Sequence, residues 1–381
     1  MATIRKLSLL IVFISLFCTA LNAEKLKSPT YGYELDLPEG FFLAEKTPDG
    51  KIYIFQHEFF VTQIVIKIDS KKDFTSAKNC LDSNITKLKG KGETETFIYH
   101  NTDCALGNLS INQQEFLGQA ATFFLKESNS YLTVIAYSPA QNADDMMQLH
   151  LSILDSVYID EASIFSNGIY TSYAYPRKKP KMVKLEIAGK TIFTAVDELD
   201  EEAENFVINR EFAIMKVYTD KANWEKAWQR YYRQIYKGSF ERFSRIAFDI
   251  FNAINTDELT EIQYAQTLLS WVQGFDYKRE QSPNSADFTC ATSTLLNKGS
   301  DCDSRSMLMC ILLQQCGIDG AMFVSRQFSH AIMGVCIDAP GQVFDIAGQK
   351  YLLGETTSKV TFGTVPQEVL YKDKWTTVIL P

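Results

Sequence analysis

The sequence lacks the cysteine and histidine spacings that mark common metal sites. None of the patterns CxxC, HxxxH and HExxH occurs among its eight cysteines and four histidines, so no metal site and no bound cofactor are predicted. Basic clusters are also scarce, and the tightest is the short run at 177–179, framed by two prolines. Together with a formal net charge of −8, this argues against nucleic acid as a partner.

Long apolar runs are few as well. After residue 23 no run is long enough to cross a membrane, so no integral membrane span is predicted. Residues 1–23 instead follow the pattern of a signal peptide, because Arg5 and Lys6 precede an apolar stretch at 7–17 and small residues come next. The sequence therefore predicts export to the periplasm or the medium.

The end of this segment leaves alternatives open. Cleavage after Ala20 and cleavage after Ala23 both fit the pattern. A lipoprotein would be anchored through Cys18, but bulky Phe17 stands where such sites favour a small residue. We therefore expect simple secretion.

The cysteine count predicts at least one free thiol in an oxidising compartment. Removal of Cys18 from the eight cysteines leaves seven, an odd number. Cys80 and Cys104 are the only two in the N-terminal half and form a possible disulfide. Cys290 is predicted to be a structural thiol, with reversible pairing to Cys302 as the alternative.

The N-terminal part, residues 24–162, has the pattern of an α+β domain. Alternating apolar residues predict a strand and two hairpins, and helical spacing predicts two helices. The strand is expected at 31–38, the hairpins at 51–68 and 120–137, and the helices at 74–89 and 143–157. This order resembles the PsbP-like fold, an antiparallel sheet packed with helices, and the resemblance implies no activity.

Residues 163–220 are predicted to be a β-rich connecting segment. A hairpin is expected at 183–196 and further strands at 206–218, while the acidic stretch 197–204 is expected to be a solvated loop. The next segment, 221–255, is helical and rich in aromatic residues. Its aromatic face is predicted to be buried against the following domain, with a carbohydrate-binding strip as the alternative.

The most informative residue is Cys302, at the start of an apolar helical run that Gly317 ends. An Asp or Ser N-cap is predicted before it, which places the thiol in the first turn of a helix. Unpaired backbone N–H groups and the helix dipole favour a thiolate at that position. The flanking carboxylates of Asp301 and Asp303 oppose this, because negative charge raises the pKa of a thiol.

Two further residues complete a candidate catalytic triad. His330 stands at the start of a predicted strand and Glu355 just after another, so an antiparallel sheet could hold both against the helix of Cys302. The imidazole would take and return the thiol proton, and the carboxylate would orient the imidazole. Asp345 competes with Glu355 for the last role. The remaining histidines are predicted to be structural or exposed: His57, His100 and His150.

Four stretches carry a resemblance to a known superfamily: WVQGFDY at 271–277, KGSDCDSRS at 298–306, SHA at 329–331 and YLLGETT at 351–357. At these positions the chain resembles the transglutaminase-like superfamily, and within it the bacterial exported cysteine-peptidase-like branch. The resemblance covers about residues 255–360. It implies a papain-like helix packed on an antiparallel sheet, with Cys302 as nucleophile, His330 as base and Glu355 where the family more often has Asp.

The sequence as a whole predicts an α+β protein with a signal peptide (1–23), a PsbP-like domain (24–162), the connecting segment and a transglutaminase-like domain (221–381). The predicted function is acyl transfer from peptide or protein amides through a thioester, as in a peptidase or amidase. The backbone N–H of Cys302 and a second donor, Gln273 or Tyr277, would form the oxyanion hole. The alternative is a non-catalytic binding or scaffold protein of the cell envelope.

Overall fold

The computed structural model describes residues 25–255, 258–279 and 285–381. The predicted signal peptide and Cys18 lie outside the described residues. Helices and antiparallel sheets alternate along the chain, which confirms the predicted α+β class. None of the helices within these described ranges is both long and apolar enough to cross a membrane.

The N-terminal unit, residues 25–162, contains most of the strands. Its elements are β1 (Leu26–Ser28), β2 (Tyr33–Leu35), β3 (Phe41–Lys46), β4 (Ile52–His57), β5 (Gln63–Ser70), α1 (Ala77–Lys87), β6 (Gly90–Tyr99), β7 (Thr102–Ile111), β8 (Phe116–Leu125), β9 (Ser130–Pro139), α2 (Ala143–Asp155) and β10 (Val157–Tyr158). Strands β3 to β9 form a seven-stranded antiparallel sheet in the order β3-β4-β5-β9-β8-β7-β6. The two predicted hairpins, β4–β5 and β8–β9, are confirmed.

The two faces of this sheet carry separate cores. Side chains along β7 alternate, so that Cys104 and Leu106 join the core under α2, whereas Ala105 and Leu109 join the core under α1. Cys80 lies in α1 on the second face. The predicted Cys80–Cys104 disulfide is therefore wrong: both thiols are free, because the sheet stands between them.

The connecting segment, residues 163–220, contains more helix than the sequence predicts. Its elements are α3 (Glu161–Ile164), which begins in the N-terminal unit, α4 (Ile169–Ala174), the hairpin β11 (Pro180–Ile187) and β12 (Lys190–Asp197), and α5 (Asp200–Lys216). The hairpin is confirmed, but the strands predicted at 206–218 and the solvated loop predicted at 197–204 are wrong. Acidic residues in the first turn favour a helix start, and Ala203, Val207 and Ile214 are buried at helical spacing.

The C-terminal unit, residues 221–381, packs helices on a second sheet. Its elements are α6 (Trp224–Phe240), α7 (Ser244–Ile254), α8 (Glu261–Val272), α9 (Ala291–Leu295), α10 (Cys302–Gln314), β13 (Gly320–Ser325), β14 (His330–Val335), β15 (Val343–Ile346), β16 (Gln349–Gly354) and β17 (Thr376–Ile379). The sheet is antiparallel, in the order β15-β16-β14-β13-β17. Helix α10 packs against β13 and β14, and its buried face belongs to the main core of this unit.

Helix α6 joins the two units. Ala227 belongs to the core of the N-terminal unit, whereas Tyr231 and Ile235 belong to the core of the C-terminal unit. The burial predicted for the aromatic face of 221–255 is confirmed in part: Tyr231, Tyr232 and Tyr236 of α6 are enclosed, whereas Phe248 and Phe251 of α7 are exposed.

Buried ion pairs accompany this packing. The Arg233 guanidinium donates to the Asp36 carboxylate at 2.9 Å. The Arg230 guanidinium donates to Glu211 of α5 at 2.6 Å and to the backbone oxygen of Asp36 at 2.9 Å. Breaking a buried pair by removing one partner costs about 3–5 kcal/mol, so these contacts fix the orientation of α6 relative to the N-terminal sheet.

Candidate active site

Cys302 is the first residue of α10, as predicted. The Asp301 side chain is the N-cap and accepts a hydrogen bond from the Ser304 backbone N–H at 3.1 Å. The first N–H groups of a helix have no partner within it. The backbone N–H of Cys302 is therefore available to a ligand next to its own sulfur.

The thiol and the imidazole open into one cavity of about 290 Å³. Cys302 is only 4% exposed, and the Ala331 backbone lies within hydrogen-bonding reach of its sulfur. Ala331 directly follows His330 on β14. The remaining walls come from α5, α6, the end of β13 with the turn after it, and Arg279 and Asp287 between α8 and α9.

His330 and Glu355 form a hydrogen-bonded pair beside this cavity. Nε2 of His330 donates to Oε2 of Glu355 at 2.7 Å, since a carboxylate can only accept. This bond fixes the tautomer and leaves Nδ1 as the ring nitrogen that can take up a proton. The other carboxylate oxygen accepts from the backbone N–H of Thr357 at 2.7 Å and from its hydroxyl at 2.5 Å.

The Glu355 carboxylate is ionised in this setting. Its burial raises the pKa, but the hydrogen bond and charge of His330, with the donors of Thr357, outweigh burial and hold the pKa below its ordinary value of 4.5. The competing candidate Asp345 is exposed near the end of β15, where it accepts from the Gly348 backbone N–H at 2.9 Å. Of the two carboxylates, the structure brings Glu355 to the imidazole.

Cys302 carries a proton in the resting site. Burial, followed by the charges of Asp303 and Asp301, raises the pKa of its thiol to about 12. The resting thiolate that the helix position favours is therefore not present at neutral pH. The carboxylates next to Cys302 and the low exposure of its sulfur outweigh the helix terminus.

An acidic cluster lies beside the thiol. One carboxylate oxygen from each of Asp287, Asp301 and Asp303 lies within 4.8 Å of the others, a donor set that could hold a hard cation. Burial and the neighbouring Asp301 carboxylate raise the pKa of Asp303 well above its usual range. The Tyr232 hydroxyl donates to Asp303 at 2.8 Å. Oδ2 of Asp301 has no hydrogen-bond donor among the described residues, so these two buried acids repel each other when both are ionised.

Gln273 does not lie at the thiol. Its Nε2 donates to the backbone oxygens of Glu355 and Val360, at 2.8 and 2.9 Å. An amide nitrogen has two N–H groups, and both are used, so the prediction of Gln273 as an oxyanion donor is wrong. Tyr277, the other candidate, is 57% exposed and its ring faces the Arg305 guanidinium. Neither side chain lines the cavity.

Arg305 is a site residue that sequence reasoning missed. Its buried guanidinium donates to the Ser300 hydroxyl at 3.1 Å, to the Phe275 backbone oxygen at 2.8 Å and to the Thr356 backbone oxygen at 3.4 Å. It therefore ties together the loops that lead into Cys302 and out of Glu355. Its neighbours in the first turns of α10 are polar and the apolar run begins only at Met307, so nothing in the local sequence indicates that this arginine is buried.

The remaining candidates lie outside the cavity. The Cys290 thiol is buried beside Glu204 and Ser293 and is free, as is Cys302. His57 and His150 are buried in the N-terminal unit, where burial lowers the pKa of each imidazole to about 4. Both are hydrogen-bonded to neighbouring side chains, which confirms their predicted structural role.

No family model matches the chain, and no curated protein matches it. Among solved structures, the Saccharomyces cerevisiae Ran-binding protein Mog1p is 12% identical over 38% of this chain and 99% of its own, with a TM-score of 0.28. A mutant of protein Mog1 is 12% identical over 36% of this chain and 96% of its own, also at 0.28. A Bacteroides thetaiotaomicron protein is 11% identical over 68% of this chain and 83% of its own, at 0.25. Similarities this weak establish neither fold nor function.

Proposed function

We propose that this protein is an acyl-transfer enzyme of the cysteine-nucleophile type, a peptidase or amidase with Cys302, His330 and Glu355 as its triad. The observation that supports this most is the 2.7 Å bond from His330 to Glu355 beside the cavity that also contains the thiol. An oriented imidazole next to a thiol is the arrangement that nucleophilic catalysis requires. The proposal includes a transglutaminase-like C-terminal domain, a PsbP-like N-terminal domain and export to the periplasm or medium.

The reaction starts from the protonated thiol of Cys302 beside the imidazole of His330. As the sulfur forms a bond to the carbonyl carbon of an amide, its proton moves to Nδ1 of His330. The imidazolium that forms is stabilised by the ionised Glu355, and the backbone N–H of Cys302 donates to the developing oxyanion. Because the proton leaves during attack, a resting thiolate is not needed.

The intermediate then collapses to a thioester. The C–N bond breaks, and the leaving amine takes the proton from His330. In the second half, water loses a proton to His330 and attacks the thioester carbon, and the thiol recovers its proton as the acid is released. An amine in place of water would give transfer instead of hydrolysis, and the sequence resemblance favours hydrolysis.

The decisive test uses p-nitrophenyl acetate, a small activated acyl donor that needs no knowledge of the natural substrate. We expect a burst of p-nitrophenol and an acetyl group on Cys302, mapped by mass spectrometry. His330→Ala should slow this acylation by about 10²–10⁴-fold, the usual contribution of a positioned general base. Glu355→Gln should slow it less, because the base remains.

Matched controls separate this from general damage. His100→Ala removes a histidine of the N-terminal unit, and Cys336→Ala removes a half-buried thiol outside the cavity. Both should acylate like the wild type. Acetylation of Cys302 no faster than that of Cys336 would contradict the proposal.

A second candidate function has one observation in its favour. A thiol that is 4% exposed with a pKa raised to about 12 also suits a fold that is kept as a binding scaffold without catalysis. In that case His330→Ala leaves the acylation rate of Cys302 unchanged. The two candidates therefore predict opposite outcomes of the same experiment.

A further inference from the structure

We infer that the cavity at Cys302 selects a peptide segment in which a bulky apolar side chain stands next to an acidic residue. The reaction at this site rests on the proposed function, but the selection concerns binding and can be measured without turnover. It follows from which side chains form the walls of the cavity and which of its charges are already paired.

One wall of the cavity is apolar and partly open. Phe212 and Met215 of α5 and Trp228 of α6 line it, and each is only partly buried. These helices precede residues 255–360, so this wall does not come from the region that resembles the transglutaminase-like superfamily. Apolar surface left open in a concave site gains free energy when an apolar side chain covers it.

A cation lies next to this apolar wall, on the turn that leads to the base. Ser325 is the register partner of His330 across β13 and β14, and Arg326 is the next residue. The Arg326 guanidinium lies 4.8 Å from the centre of the Trp224 ring, and it forms no salt bridge with any described carboxylate. Arg326 lines the same cavity as Cys302 and His330, so a carboxylate on a peptide residue near the reacting carbonyl can reach it.

The other arginine that lines the cavity is already paired. Arg279 pairs with Asp287 at 3.1 Å, and Asp303 accepts from Tyr232 at 2.8 Å. Arg326 is therefore the cation that a ligand can use, and a guanidinium binds a carboxylate through two parallel hydrogen bonds. A volume of about 290 Å³ is at the lower limit of ligand pockets, about 300 Å³, so it suits a short segment of peptide.

The test measures binding of blocked pentapeptides to the Cys302→Ala protein by calorimetry. The probes are Gly-Asp-Phe-Gly-Gly and Gly-Phe-Asp-Gly-Gly, each compared with versions in which Asn or Lys replaces Asp, or Ala replaces Phe. We expect the better acidic probe to bind about tenfold tighter than its Asn version, equivalent to about 1.4 kcal/mol, and tighter still than its Lys version. Replacing Phe by Ala should weaken binding to a similar extent.

Second-site variants assign the preference to its residues. Arg326→Gln in the Cys302→Ala background should abolish the advantage of Asp over Asn, and Arg326→Glu should favour the Lys probe. Phe212→Ala should abolish the advantage of Phe over Ala. Arg245→Gln, at an exposed arginine paired with Asp249 on α7, should change neither.

Each outcome has one meaning. Equal binding of the Asp and Asn probes, an advantage that persists in Arg326→Gln, or no measurable binding of either acidic probe overturns the inference. A preference at the Cys302→Ala site in a protein whose Cys302 fails the acylation test would sustain the inference and refute the proposed catalysis. Acylation of Cys302 without any peptide preference would support the proposed catalysis and overturn the inference.

Discussion

The side-chain amide of Gln273 donates to the backbone oxygen of Glu355 at 2.8 Å and so holds that stretch of backbone in place. The second N–H of the same amide reaches Val360 at 2.9 Å, so one side chain joins the end of α8 to both ends of the loop after β16. The carboxylate that orients His330 therefore depends on a residue that never touches the cavity. Such a residue positions the site without taking part in the chemistry.

Replacing Gln273 by Glu should disturb this position, because an ionised carboxylate cannot donate to the two carbonyl oxygens. We expect acylation of Cys302 by p-nitrophenyl acetate to slow by about tenfold, because the imidazole is held less firmly. The pH profile should shift along with the rate, which a general loss of folded protein would not produce. Gln141→Glu, at an exposed position between β9 and α2, is the control and should match the wild type.

Glu355 should link stability to acid pH. The pKa of its carboxyl is below 4.5 in the folded protein, so its ionised form stabilises the native state above that value, and the contribution disappears as pH falls through the folded pKa. Urea titrations should show wild-type stability dropping faster below pH 4.5 than that of Glu355→Gln, which has no such group. Parallel curves for the two proteins would contradict the assignment. Glu368→Gln, at an exposed carboxyl, should follow the wild type.

Asp303 should have the opposite linkage. Its folded pKa is raised above the ordinary 3.8, chiefly by burial, so its contribution to stability is complete below pH 3.8 and declines as pH rises toward the folded value. Asp303→Asn keeps an acceptor for Tyr232 and cannot ionise. We expect this variant to be more stable than the wild type at neutral pH, with the difference shrinking in acid. Equal stability of the two proteins at every pH would show that burial does not raise the pKa of Asp303. Asp373→Asn, at an exposed carboxyl, is the control.

Arg305 should be the most costly residue of the site to remove. Arg305→Met keeps much of the apolar volume but leaves the buried oxygens of Phe275 and Thr356 without a donor. Each unpaired buried group costs about 1–3 kcal/mol, so the free energy of unfolding should fall by about 2–6 kcal/mol in a urea titration. Arg245→Met, on the surface of α7, should change it by less than about 0.5 kcal/mol. A loss at Arg305 no larger than this would mean that its hydrogen bonds are dispensable.

The helix of Cys302 and the strand of His330 were predictable because each has a strong local signal. An N-cap, an apolar run and a closing glycine mark α10, and a short apolar run after His330 marks β14, where these residues are all buried. Helix α5 was missed because its apolar residues are mixed with buried polar ones such as Glu204 and Arg210, which blurs the helical period. Strand β6 was also missed, since it lies at the sheet edge with almost all of its side chains partly or fully exposed and so has no alternation to detect.

The contacts that position the catalytic groups could not be predicted from local sequence patterns, for a different reason. Gln273 is 82 residues from Glu355 along the chain, and nothing near either residue indicates the other. The prediction of a resting thiolate at Cys302 was wrong for a similar reason. The burial that raises the pKa of this thiol comes from the packing of elements that are distant in sequence. To see that the sheet separates Cys80 from Cys104, one has to know on which face of the sheet each side chain of β7 lies.

The pairing of Arg230 and Arg233 on α6 with carboxylates from elsewhere has a consequence for any attempt to dissect this chain. A fragment starting at residue 221 would retain both guanidinium groups but lose Asp36 and Glu211, and it would expose the face of α6 that Ala227 occupies. Such a fragment would carry two unpaired arginines and an exposed apolar surface. We therefore expect residues 221–381 not to fold stably alone, because α6, which lines the cavity, packs into the cores of both units.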